Sequence, residues 1–264
     1  MSLPRFFLEE QVIANEPQEI FPLRLARDDA KHAKVLRLAP GEHVAVIDAA
    51  QDYFECEIQS FDDDFPLVRI TRHEDALDDG PLVMLVQGLA KGEKMDSVIR
   101  HATELGVAAF MPLLCERSIV KLDAKKTKTR LERWGSIAKS AAMQSGQPRI
   151  PEVLEPRSAK EAAAQLATAT AILICWEEAP QTASLSHAID SALSACTCDG
   201  TDARIAVVVG PEGGLTEHEV SIFLDANPRA SLVSLGSSIL RTETAGVVAP
   251  ALTLYELGKL GGTR

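Results

Sequence analysis

Along this 264-residue chain the spacing of apolar positions changes character once. Up to about residue 75 the apolar residues come in short runs: Val44 to Ile47, Tyr53 to Ile58 and Leu67 to Ile70. Turn-forming or acidic clusters separate them, at Pro40-Gly41, Asp48 to Asp52 and Asp62-Asp63-Asp64. That punctuation predicts short β-strands, with one helix expected around Asp28 to Leu36. Polar, turn-rich residues from His73 to Pro81 follow, and then strand and helix patterns alternate. Leu82 to Leu89 is a near-continuous apolar run, as in a strand covered on both faces. Lys94 to Leu105 places Met95, Val98, Ile99, Ala102 and Leu105 on one helical face and stops at Gly106. A strand over Ala108–Leu114 and a long helix over Thr127–Ser145 come next. Ser158 and Glu161 are spaced as a capping box for a helix to Ala167. The spacing then predicts a strand at Ala171–Trp176 and a helix at Leu185–Ala195. The pattern assigns an α/β chain of two domains, a small β-rich one at 1–75 and a parallel-sheet one at 76–264.

The last third carries two strand–turn–helix units in succession. Ile205 to Val209 leads into Gly210-Pro211-Glu212-Gly213-Gly214 and a helix from Thr216. Leu232 to Leu235 leads into Gly236-Ser237-Ser238-Ile239-Leu240 and a helix from about Arg241. Both turns fall at carboxyl ends of strands, where open α/β sheets bind ligands. Side by side they would make a pocket walled mainly by backbone groups. The first loop lacks the Lys-Ser/Thr of a phosphate loop and the spacing of a dinucleotide fingerprint. Thr216 and Glu219 form a capping box that satisfies the helix start internally, which argues against an anion there. In the second loop Glu243 suits the positive end of a helix dipole. The last helix is apolar on more than one face. Pro250 within it should kink it or break it in two, and its apolar excess predicts burial in a homodimer.

Net charge is −11, yet residues 117–149 hold nine Lys/Arg against two Asp/Glu. Local field rather than total charge governs phosphate binding, so this stripe is a candidate RNA surface. Seven of its nine cations are the candidate contacts: Arg117, Lys121, Lys125, Lys126, Lys128, Arg130 and Arg133. If the N-terminal domain also holds RNA, Arg5, Arg24, Lys31, Lys34 and Arg37 are its contacts. Five cysteines without regular spacing make no disulfide framework, and Cys196-Thr197-Cys198 has no second half to complete a zinc site. No metal is expected. No apolar run approaches a membrane span, and the N-terminus lacks a signal peptide's apolar core, which predicts a cytoplasmic protein.

Gly210-Pro-Glu-Gly-Gly-Leu-Thr-x-x-Glu219 and Leu235-Gly-x-x-Ile-Leu-Arg-Thr-Glu-Thr-Ala245 resemble the signature of the small-subunit ribosomal RNA methyltransferase E family, within the SPOUT methyltransferases. Pro4 to Phe7, His32 with Val35-Leu36-Arg37, Lys91-Gly92 with Met95-Asp96, Ala102 to Val107, Glu116 to Ser118 and Gln144 to Gly146 extend the likeness over most of the chain. The resemblance implies a trefoil-knotted methyltransferase domain, a PUA-like N-terminal β-barrel for RNA, and a dimer. It also implies methylation of uridine N3 in small-subunit (16S) ribosomal RNA with S-adenosylmethionine. On that reading Gly210, Pro211, Glu212, Gly213 and Gly214 hold the cofactor from one side. Leu235, Gly236, Ser237, Ile239, Leu240 and Thr242 hold it from the other. Arg241 and Glu243 become the catalytic pair, because N3 must lose a proton and the resulting anion must be stabilised. Three positions depart from the family: Ser238 replaces a basic residue, Met143 an acidic one, and Asp48 to Gln51 lacks the usual glycines. Alternatives from the residues are a methyltransferase of this fold acting on another RNA, or an RNA-binding assembly protein without activity.

Overall fold

The computed structural model describes residues 3–62, 65–75, 80–120, 122–196 and 200–261. Asp63 and Asp64, part of the His73–Pro81 boundary, Lys121 and Cys198 therefore lie outside the described residues. The chain forms two compact units: Met1–Asp78 with Ala142–Arg149, and Asp79–Ala141 with Ile150–Arg264. Residues 142–149, read from sequence as part of the second domain, pack with the first.

The first unit is a mixed five-stranded sheet in the order β1-β3-β4-β5-β2. Its strands are β1 (Arg5–Phe7), β2 (Ile20–Pro22), β3 (His43–Ile47), β4 (Tyr53–Asp62) and β5 (Phe65–Glu74). β1 runs parallel to β3 and the other pairs are antiparallel. No ladder joins β2 to β1 among the described residues, so the sheet is not a closed barrel by strand pairing. Helix α1 spans Arg27–Val35. Phe6, Ile13, Phe21, Leu23, Val46 and Ile58 fill the core, with Met143 packed against it. The glycine-poor turn after β3 is held by buried Asp48, whose carboxylate accepts from the backbone N–H of Ile13, Ala50 and Asp52 at 2.8, 2.9 and 3.1 Å. Those bonds offset the strain of Gln51, a non-glycine at φ 72°.

The second unit is a parallel sheet in the order β12-β10-β11-β6-β7-β8, with β9 also on β7. Its strands are β6 (Leu82–Gly88), β7 (Ala109–Leu114), β8 (Glu152–Val153), β9 (Arg157–Ser158), β10 (Ala171–Cys175), β11 (Arg204–Val209) and β12 (Ala230–Val233). Their apolar runs are continuous because both faces are covered. Ile205, Val207 and Val209 join one core while Ala206 and Val208 join the other. The first core is completed by α2 (Lys94–Leu105), α3 (Ala124–Ser145) through Trp134 and Ala138, α5 (Leu185–Cys196) and α7 (Thr242–Glu256). The second uses α4 (Ala159–Gln165) and α6 (Glu217–Ala226). Gly106 caps α2 in the left-handed conformation at φ 100°. The capping boxes at Ser158/Glu161 and Thr216/Glu219 both form. Pro250 neither splits nor ends α7, which continues to Glu256 as one helix. Pro250 is buried in a helix packed on α2, α5 and β6, and that packing offsets the hydrogen bond proline cannot donate.

Candidate functional site

Strand order decides what the two glycine loops can do together. β10 lies between β11 and β12, so the loops are not direct neighbours. A third loop, after β10, stands between them. The three loops enclose a cavity of about 500 Å³. Its wall comprises Gly210–Gly214 from the first loop and Ser234–Leu240 from the second, with Arg241, Thr242 and Ala245 of the α7 start. Cys175, Trp176, Glu177, Ala179 and Gln181 of the third loop complete it, together with Lys94. Every position assigned to the cofactor from sequence lines this space. The third loop and Lys94 were not anticipated, because sheet order and the reach of α2 leave no local sequence signal.

Close backbone approach explains the glycines. A Cβ on Gly88, at the end of β6, would lie 2.3 Å from Pro211 N and 2.6 Å from the Gly210 carbonyl carbon. A Cβ on Gly214, which has φ +71°, would lie 2.1 Å from Glu177 Oε1. Thr242 is buried, and its hydroxyl donates to the Gly210 carbonyl at 2.6 Å while accepting from Gln87 Nε2 at 2.8 Å. This residue, assigned to the cofactor, thus spends its hydroxyl on tying the α7 start to the first loop. A Cβ on Gly246 would fall 2.3 Å from Gln87 Oε1, so Gly246→Ala displaces that amide. The expected cost is about 1–3 kcal/mol of stability, read as a lower midpoint in denaturant unfolding.

Polar geometry is concentrated where the first loop meets the starts of α2 and α7. Lys94 Nζ lies 3.1 Å from Glu212 Oε1 and 3.1 Å from Glu243 Oε2. Glu212 Oε1 also accepts from the Lys91 backbone N–H at 3.0 Å. Desolvation pushes the Glu243 carboxyl up, but its own backbone N–H, Lys94 and Arg241 outweigh this and hold it below the usual carboxylate range. Glu212 behaves alike: desolvation is opposed and overcome by the backbone N–H groups of Lys91 and Glu212 and by Lys94. Hydrogen bonds to Glu243 and Glu212 raise the Lys94 ammonium. All three groups are therefore charged at neutral pH. Glu243 Oε2 is buried and faces the Lys94 ammonium at 3.1 Å. Glu243 itself is not part of the cavity wall; it pairs with Lys94, which is. Arg241 is exposed, caps α7 with its backbone, and its guanidinium makes no hydrogen bond or ion pair with described residues.

A family model described as an RNA methyltransferase domain matches residues 79–254. The ribosomal RNA small subunit methyltransferase E of Bacillus subtilis is 32% identical over 98% of this chain and 99% of its own. This chain belongs to the ribosomal RNA small subunit methyltransferase E family. It is an RNA methyltransferase. Among solved structures, a protein described only as hypothetical is 30% identical with a TM-score of 0.82, covering 97% of this chain and 100% of that one. The family member from Neisseria gonorrhoeae, bound to S-adenosyl methionine, is 28% identical with a TM-score of 0.76, covering 96% of this chain and 98% of that one.

The cations assigned to RNA are in different circumstances. In the first unit Arg24, Lys31, Lys34 and Arg37 are exposed. Arg5 is not a free contact: its guanidinium donates to the Gly146 and Gln147 carbonyls and lies over the Tyr53 ring. In the second unit Arg117, Lys125, Lys126 and Lys128 are exposed and Arg130 is half-buried. Arg117 donates to the Gly213 and Leu215 carbonyls at 3.1 and 3.3 Å, so it braces the first glycine loop. Arg133 pairs with buried Asp96, which also accepts from Trp134 Nε1. Ser238 is exposed on the second loop. Among the described residues Asp52, His73 and Asp75 approach metal-ligand spacing, but two of the three are exposed and the group is remote in sequence from the three loops. No helix of the described residues is long and apolar enough to cross a membrane.

Proposed function

We propose that this enzyme transfers a methyl group from S-adenosylmethionine to N3 of a uridine in small-subunit (16S) ribosomal RNA. The observation that carries the reading is the three-loop cavity with the Lys94 ammonium in its wall, 3.1 Å from the Glu243 carboxylate. The cavity suits the cofactor in size and lining, being about 500 Å³ with two glycine-bearing loops and the apolar Trp176, Leu235 and Leu240 in its wall. Trp176 Nε1 is buried without a partner among the described residues, a donor available to a bound ligand in that wall. When bound, the cofactor supplies an electrophilic methyl on a sulfonium that carries its own leaving group. What the chain adds is orientation and proton control. Glu243 removes the N3 proton and Arg241, unpaired beside it, favours the uridine anion. Gly210–Gly214 and Leu235–Leu240, with Thr242 as their tie, fix the cofactor. Titration calorimetry with S-adenosylmethionine should give one site per chain, and absence of binding would sink the enzymatic reading.

The strand order, with α7 returning from β12 to pack on β6 and α2, supports a trefoil-knotted chain end. The β-rich first unit supports a PUA-like RNA domain. Exposed Leu252 and Tyr255 on α7 support a homodimer, to be read by sedimentation. No metal enters this chemistry, and the substrate places the enzyme in the cytoplasm. RNA binding falls to exposed cations: Lys125, Lys126 and Lys128 in the second unit, and Arg24, Lys31, Lys34 and Arg37 in the first. Replacing Lys125, Lys126 and Lys128 by Ala should weaken RNA binding and flatten the salt slope by roughly 2 to 3. An unchanged slope would make the stripe a merely solvated face.

A further inference from the structure

Lys94 begins α2, twelve residues that neither glycine loop points to. Its ammonium nevertheless bridges carboxylates from two elements far apart in sequence, Glu212 of the first loop and Glu243 of α7, each at 3.1 Å. The Lys91 backbone N–H binds Glu212 from the same turn. An exposed ion pair contributes little on its own. Here the three side chains are only 27–30% exposed, Lys94 and Glu212 line the cavity, and Glu243 is ion-paired to Lys94 from outside the lining.

We propose that Lys94 is a positioning residue of the methyl-transfer site, holding the Glu243 carboxylate in place from the cavity wall and locking it to the Glu212 loop. The proposal rests on Glu243 acting as the base. Charged groups acting on Glu243 are Lys94 from α2 and Arg241 from its own helix start; β6 presents the neutral Gln87 to the same helix. Lys94 pulls the Glu243 carboxyl down against desolvation, so removing the ammonium must let it titrate at higher pH.

The test compares Lys94→Met and Lys94→Arg with the parent enzyme. Two readouts are used: carbon-detected NMR titration of the Glu243 carboxyl without RNA or cofactor, and steady-state methyl transfer to 16S RNA across pH. Lys94→Met should lower kcat by up to about a hundredfold, the scale of a displaced catalytic group, with KM for RNA nearly unchanged. Its Glu243 titration and the acid limb of kcat should both move to higher pH. Lys94→Arg, which keeps the charge, should restore most of kcat and return both. Lys94→Met with unchanged kcat and unchanged Glu243 titration would overturn the proposal. The base reading fails separately, if Glu243→Gln keeps full turnover.

Discussion

Glu243→Gln is expected to lower turnover by roughly two to four orders of magnitude while S-adenosylmethionine affinity stays within about twofold. The amide keeps the size and hydrogen-bonding shape of the carboxylate but does not take up a proton. It also leaves the cavity wall untouched, since Glu243 is not among the residues that line it. Thr242 still donates to the Gly210 carbonyl, so the loops that hold the cofactor keep their tie. Lys94 retains Glu212 as a partner, so no bare cation is left in the wall. Activity should recover as pH rises and the uridine ionises without help. The assay is methyl transfer at saturating RNA with cofactor affinity measured alongside. Equal turnover in the variant would remove Glu243 from the base role.

Gly88→Ala is the second large effect, and it acts on binding rather than chemistry. The added methyl would meet Pro211 N at 2.3 Å and the Gly210 carbonyl carbon at 2.6 Å, both backbone atoms. A flexible side chain could turn aside, but here the first loop has to move as a whole. Gly210 is constrained in turn, because its own Cβ position lies 2.9 Å from Leu215 N. Displacing the loop also stretches the Thr242–Gly210 bond and the Lys94–Glu212 pair. The overpacking costs about 1–3 kcal/mol, felt mainly as lost cofactor affinity, about tenfold or more. Calorimetry reads it directly, with a thermal melt to establish folding. Unchanged affinity would mean that the first loop does not hold the cofactor.

Local signals carried much of this structure. The face of α2 and its glycine stop, the capping boxes at Ser158 and Thr216, and the two glycine loops are all short-range patterns, and the structure reproduces them. Non-local arrangement was not legible. No periodicity tells that β10 inserts between β11 and β12, so the loop carrying Trp176 and Glu177 went unread. Lys94 looked like one more polar helix-start residue until folding brought Glu212 and Glu243 to it. Thr242 sat in a motif whose neighbours face the cavity, and only packing shows its hydroxyl bound to Gly210. The three-residue strands β1 and β2 have too few alternations to register, and the stretch 142–149 continues a helix pattern while packing with the first unit. For Pro250 the local rule was overridden by burial.

The most direct measurement is transfer of labelled methyl from S-adenosylmethionine to small ribosomal subunits from cells lacking this protein, with the modified nucleoside identified by mass. Uridine-N3 methylation by this enzyme requires label in 16S RNA as N3-methyluridine, dependent on Glu243. Label in another nucleoside, or no transfer by an enzyme with cofactor demonstrably bound, would contradict it.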